Sequence, residues 1–204
     1  MTKTLSHLYD SYLDAEAAVR DLKASGIEAD HIALLSNNAD GQHKTPVANG
    51  NMAAEDAEAG ATFGAVVGAT AGTLAGLGFL AIPGLGPVVA LGWLAATAAG
   101  VAGGAVLGGA GGGLVGALTS NGVSETEANF YAEGVRRGGT LVTVTVDDSK
   151  VGATQVILRS HNAVDNDTRA KAYRDSGWQH FDPAAAPYTG AQLSEERRLY
   201  PFAK

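Results

Sequence analysis

The residues in this chain that could do chemistry are few. Five histidines, His7, His31, His43, His161 and His180, could ligate a metal or act as a general base, but they are scattered, with no His-Glu-x-x-His run and no pair at ligand spacing. His7 and His31 would approach each other if the strands that carry them pair, and the simplest reading is of two satisfied sheet histidines. Asp147 with Asp148, and Asp165 with Asp167, could be acid and base partners. Each pair precedes a helical pattern, where turn and N-cap roles account for it. "GLGFLA", from Gly76 to Ala81, fits a dinucleotide fingerprint formally, yet no strand pattern precedes it. "GGAGGG" lacks the Lys-Ser or Lys-Thr that completes a phosphate loop. No serine stands in Gly-x-Ser-x-Gly, and there is no cysteine for nucleophilic catalysis, disulfides or thiolate ligation. These patterns point to a protein that is not an enzyme and holds no cofactor and no metal.

The elements that would position any site fall into three regions. Over residues 1–52 the pattern reads strand, helix, strand and polar loop. Leu5, His7 and Tyr9 alternate against Leu8 in "TLSHLYD". Ser11 caps a helix through "YLDAEAAVRDLKAS" with Ala15, Ala18, Val19 and Leu22 on one face, Gly26 stops it, and "HIALLS" is a second strand. Over 121–177, Ser124 and Glu127 form a capping box for "SETEANFYAEGVRRGG". "TLVTVTV" puts Val142, Val144 and Val146 on one face, and helices follow through "VGATQVILRSHN" and "TRAKAYRDSG" with a short extended "AVDND" between them. Two β-α-β units in one sheet predict an α+β fold, a ferredoxin-like antiparallel sheet with helices on one face.

Residues 53–120 are different, with no charged residue between Glu58 and Glu125. Glycine recurs at every fourth position, at Gly60, Gly64, Gly68, Gly72 and Gly76, and again at Gly92, Gly100, Gly104, Gly108, Gly112 and Gly116, with Ala96 in register. On helices each run forms a stripe bare of side chains, which costs on the order of 1 kcal/mol per glycine relative to alanine but permits close helix packing. "AIPGLGP" is the break between two such helices, Ala59 to Ile82 and Pro87 to Leu118, of about 36 and about 48 Å, against about 30 Å for a bilayer core. The expectation is a long glycine-zipper helical hairpin interrupting the sheet domain. It would drive homo-oligomerisation, either in the membrane, with lipid as a partner and the rest on the cytoplasmic side, or as the core of a soluble particle.

Residues 178–204 form a tail with Trp178, Phe181, Tyr188, Tyr200 and Phe202, too many apolar anchors for a solvated terminus, and are expected to dock on the domain or on a neighbouring copy. The formal charge of -7 and the lack of any basic run beyond Arg136-Arg137 and Arg197-Arg198 argue against a nucleic-acid partner. The N-terminus lacks the charged segment and apolar run of a signal peptide.

The opening "HLYDSYLDAEAAVRDLKASGI", the later "GVSETEANFYAEGVRRGGTLVTV" and "YRDSGW" resemble a family of bacterial general stress proteins, heat- or low-temperature-induced, some of which carry a glycine-zipper hairpin at this place. The resemblance implies association with stress and no particular reaction. Within it, a regulated pore is an alternative to a structural assembly, with a small-molecule ligand of the sheet domain left open; Thr62, Thr70, Thr73, Thr97 and Thr119 would be the polar side chains of its hairpin.

Overall fold

The computed structural model describes residues 1–39, 78–82, 85–94 and 113–200. Thr2–Tyr9 form β1, and Ser11 accepts from the Asp14 backbone N–H to start α1, Tyr12–Ala24. A 3-10 turn at Ala29–His31 leads into β2, Ile32–Asn37. Strands β3, Gly78–Ile82, and β4, Gly86–Leu91, follow, then helices α2, Leu114–Ser120, and α3, Glu125–Arg136. Strand β5 is Thr140–Asp147, and helices α4, Val151–Arg159, α5, Asn166–Asp175, and α6, Gly190–Leu199, complete the order.

Among the described residues the strands make one antiparallel sheet in the order β1-β5-β2-β4-β3. The chain is therefore α+β, as its pattern implies. β5 lies between β1 and β2, pairing His7 with Val142 on one side and Leu34 with Val142 on the other. That arrangement makes β1 and β2 parallel to each other and puts α1 in a crossover over β5.

Alternation sorts the sheet into two faces. On one, Val142, Val144 and Ile32 pack with Ala15, Ala18, Val19 and Leu22 of α1 and Leu158 of α4. On the other, Leu8, Leu35 and Leu141 pack under α2, α3 and α5 through Leu118, Phe130, Val135 and Tyr173. Helices thus cover both faces, where the sequence pattern predicts one. β2, buried at all six positions, is the local sign of this. The threonine side of β5 is covered by the second helical layer, where Thr143 meets Ser6 hydroxyl to hydroxyl at 3.1 Å, and on the α1 side Thr140 meets Ser36 in the same way at 2.8 Å.

The predicted helical hairpin is corrected where the structure describes it. Residues 78–82 and 86–91 are strands, not helix, and β4 pairs with β2, so this part of the segment belongs to the sheet. A short apolar run between turn signals suits a buried strand as well as a buried helix, and β-branched Val88 and Val89 tip the balance once β2 offers an open edge. Pro87 pairs only with Ala81, beyond the last residue of β4 matched to β2, so its missing N–H costs the ladder with β2 nothing. Gly92 is not a stripe position; it ends β4 at φ +70. Gly116 lies in α2. Gly60, Gly64, Gly68, Gly72, Gly76, Gly100, Gly104, Gly108 and Gly112 lie outside the described residues. No described helix is long and apolar enough to cross a membrane.

At the far end of the sheet, "AVDND" is not a strand. Val164 donates one backbone hydrogen bond to Leu8 O, at 2.8 Å, and α5 begins two residues later. Asp165 caps α5 at the Thr168 N–H, 2.9 Å, whereas Asp147 caps nothing and Asp148 instead pairs with Lys3 at 3.5 Å.

Gly92 gives a sharp test. A Cβ there would strike the Ile32 carbonyl oxygen, and the positive φ is already unfavourable for an L side chain. Gly92→Ala should lower unfolding free energy by more than the about 1–3 kcal/mol of backbone strain alone, whereas Gly26→Ala, at φ +84 with open space around it, should show only that strain. Urea unfolding of both variants makes the comparison.

Candidate functional site

Two places in the described structure gather polar side chains: a cleft at the β1 edge and a charged junction beneath the tail. The cleft has a main cavity of about 820 Å³ and an adjoining one of about 220 Å³, with His7, Glu127, Arg159 and Asn166 lining both. β1 supplies Thr4, Ser6 and His7, the start of α3 supplies Glu125 and Glu127, the end of α4 supplies Arg159, and the start of α5 supplies Asp165, Asn166 and Asp167. Phe130, Val164, Ala170 and Trp178 give the main cavity apolar wall.

The bonding along this wall is specific. The Tyr131 hydroxyl donates to Ser6 O at 2.7 Å and accepts from Asn166 Nδ2 at 2.9 Å. Burial pushes the Tyr131 phenol up to about 12, against the lowering effect of the Asn166 bond, so it remains a donor at neutral pH. Asn166 Oδ1, Trp178 Nε1 and His7 Nδ1 are buried without a hydrogen-bond partner among the described residues. Burial, then the Arg159 charge, holds the His7 imidazole below its ordinary range, so it stays neutral. A neutral imidazole beside a guanidinium could accept a proton only reluctantly. His31 is not its partner, because β5 separates β1 from β2. No group of three or more metal-ligating side chains occurs among the described residues.

The junction centres on Glu133, which is only 1% exposed inside α3. Arg137 Nε reaches it at 2.6 Å and Arg136 at 3.3 Å, and Arg137 also holds Glu196 of α6 at 3.0 Å. The arginines stack as well: Arg137 lies 4.3 Å from the Tyr173 ring centroid and Arg136 4.9 Å from that of Tyr188. Arg169 makes two 2.7 Å bonds to Asp10 while sitting 3.7 Å over Tyr200.

The tail residues are thereby placed on their own domain. Trp178 meets Tyr173 edge-on at 6.0 Å, Tyr200 does so at 6.2 Å, and Phe181 is buried with its N–H donating to Asn129 Oδ1 at 3.1 Å. Leu193 is wholly buried against Gly138. Phe202 lies outside the described residues. Sequence reasoning weighs Arg136-Arg137 only as a short basic run and so misses the junction. The available signal is Glu133, three and four residues earlier, on the face that a helical wheel turns toward both arginines. Nothing in the sequence marks the cleft, whose walls come from distant segments.

Two measurements follow. His7 is held neutral, so the unfolded chain takes up its proton first as pH falls through 6.5; stability should be unaffected above that value and decline below it. Melting temperatures of wild type and His7→Gln from neutral pH to about pH 5 should converge on a shallower slope in the variant. Arg137→Met leaves buried Glu133 with Arg136 alone. It should cost about 3 kcal/mol in urea unfolding and loosen α6 so that trypsin cuts after Arg197 and Arg198.

With the geometry in place, comparison with known proteins gives one result. Residues 4–80 match the family model described as the heat induced stress protein YflT domain, a stretch that takes in most of β1, all of α1 and β2, and the start of β3. No curated protein and no solved structure matches the chain significantly. This match over residues 4–80 is consistent with the bacterial general stress proteins that the opening of the chain resembles.

Proposed function

We propose that this stress-associated protein is structural and not enzymatic, and that it works by assembling with copies of itself through the uncharged, glycine-rich segment, at or in the membrane. One observation carries the reading. Among the described residues β3 forms the outer edge of the sheet, and it lies inside a stretch from 59 to 124 with no charged residue at all. Edge strands are ordinarily blunted by charge or by lysine, because an open ladder pairs with any suitable partner. An edge and its flanks without a single charge are built to be covered.

The glycine spacing supports the same reading from the sequence side. Glycines at every fourth position bring helices close in bundles of either lipid or protein surroundings, and eleven of the spaced positions fall on glycine in this segment. The sheet itself fits a ferredoxin-like arrangement, in which β1-α1-β2 clasp β5, with β3 and β4 added to one side. In this reading the sheet domain is the outer layer and the glycine-rich segment the inner one.

The test is the state of the full chain in its native cells. Membranes are washed with alkaline carbonate and floated, and the released fraction is sized by light scattering. Retention in floating membranes assigns the assembly to the bilayer, and release as a large particle assigns it to a soluble homo-oligomer. A soluble monomer sinks the proposal. Gly68→Leu with Gly104→Leu should break the assembly while leaving the sheet domain's circular dichroism intact.

A further inference from the structure

Among the described residues the opposite edge of the sheet, at β1, is also open, and its character is different. In a strand the N–H and C=O of one residue point the same way, and successive residues alternate. Because Leu8 O accepts from Val164 N–H and Ser6 O accepts from the Tyr131 hydroxyl, the residues whose backbone faces away from β5 are Thr2, Thr4, Ser6 and Leu8. Val164 occupies the position beside Leu8 and then the chain turns into α5. The Thr4 backbone has no partner among the described residues. The place of one more strand is therefore begun by Val164, met at the Ser6 carbonyl by the Tyr131 hydroxyl, and among the described residues left vacant at Thr4 and Thr2, and it is here that the cleft runs, between the α3 layer and the α4 layer.

We propose that this cleft binds an extended peptide of basic character, which adds to β1 as a further strand. Three features choose that occupant. The open backbone of Thr4, with the N–H of Ser6, offers donors and acceptors at strand spacing, which a peptide main chain matches and a compact small molecule does not. The apolar wall of Val164, Ala170, Phe130 and Trp178 receives alternate side chains from one face of such a strand. The rim carries four carboxylates, Glu125, Glu127, Asp165 and Asp167, against two guanidiniums, Arg159 and Arg174, while His7 stays neutral. Lys3, the residue that would repel a basic strand, is drawn to Asp148 at the far end of β1. The inference stands apart from self-assembly, which concerns the other edge.

The probe is a short acetylated peptide alternating lysine and valine, titrated into the full chain by calorimetry and by amide chemical shifts. Saturable binding is expected, with the shifts centred on Thr4, Ser6 and Val164. Methylating the peptide's backbone nitrogens along one edge should weaken binding about tenfold, since main-chain bonds carry it. Glutamate in place of lysine should weaken it too, and Glu125→Gln with Asp167→Asn, neither of which holds a structural bond through its carboxylate, should weaken the lysine peptide alone. Thr4→Pro removes an outward N–H without touching the β5 ladder, so binding should fall while the melting transition remains. Absence of saturable binding at millimolar peptide overturns the proposal. So does equal binding of the methylated or glutamate peptide, or a shift pattern centred on β3.

Discussion

Everything in this domain depends on β5 being held between β1 and β2. β5 hydrogen-bonds to both neighbours and sends Val142 and Val144 into one core and Leu141 into the other. Without it the two amino-terminal strands have no shared ladder, α1 has no valine face to cover, and α3 has no sheet to lie on. A strand buried on both faces supplies two hydrophobic contacts for each ordered stretch of backbone, which is why it can bind segments from opposite ends of the chain. The hydroxyl pairs Ser6-Thr143 and Ser36-Thr140 then fix its position, since a shift by one residue would turn each buried hydroxyl toward an apolar partner.

The second organising contact is ionic. Glu133 sits almost fully buried on α3 because two arginines meet it, and one of them extends the network to α6. Burying a carboxylate is unfavourable unless its charge is matched and its oxygens are bonded, so the junction stands or falls as a set. Burial raises the Glu196 carboxyl above its usual range even beside Arg137. Aromatic faces finish the enclosure, with Tyr173 and Tyr188 under the guanidiniums and Tyr200 under Arg169. The tail is thus a structural layer of the domain, joined through charge and stacking together with the buried Phe181 and Leu193.

Much of this was legible in the residues. The caps at Ser11 and Ser124, the apolar face of α1, the valine face of β5 and the anchoring aromatics of the tail are local patterns, and local patterns survive into the fold. What local pattern could not reveal was pairing between distant segments. "GFLAI" and "PVVAL" look alike as short helices or strands until β2 presents an edge, and the threonine face of β5 reads as solvated until α3 is laid over it. The cleft is the extreme case. Its walls are set by where a strand fails to form after α4, and the absence of a strand leaves no motif.

The partnering of Thr4 with Thr145, 141 positions apart in sequence, has a consequence for synthesis. A nascent chain emerging from the ribosome presents β1, α1 and β2 long before β5 exists to join them. Closing so long a loop is entropically slow, though each doubling of its length adds only about 0.6 kcal/mol. Until translation passes Asp147 the amino-terminal half must persist as an uncompleted sheet with the glycine-rich segment already exposed. A protein of this architecture needs protection most while it is being made, and its demand on chaperones should peak in the interval between the first strand and the one that binds it.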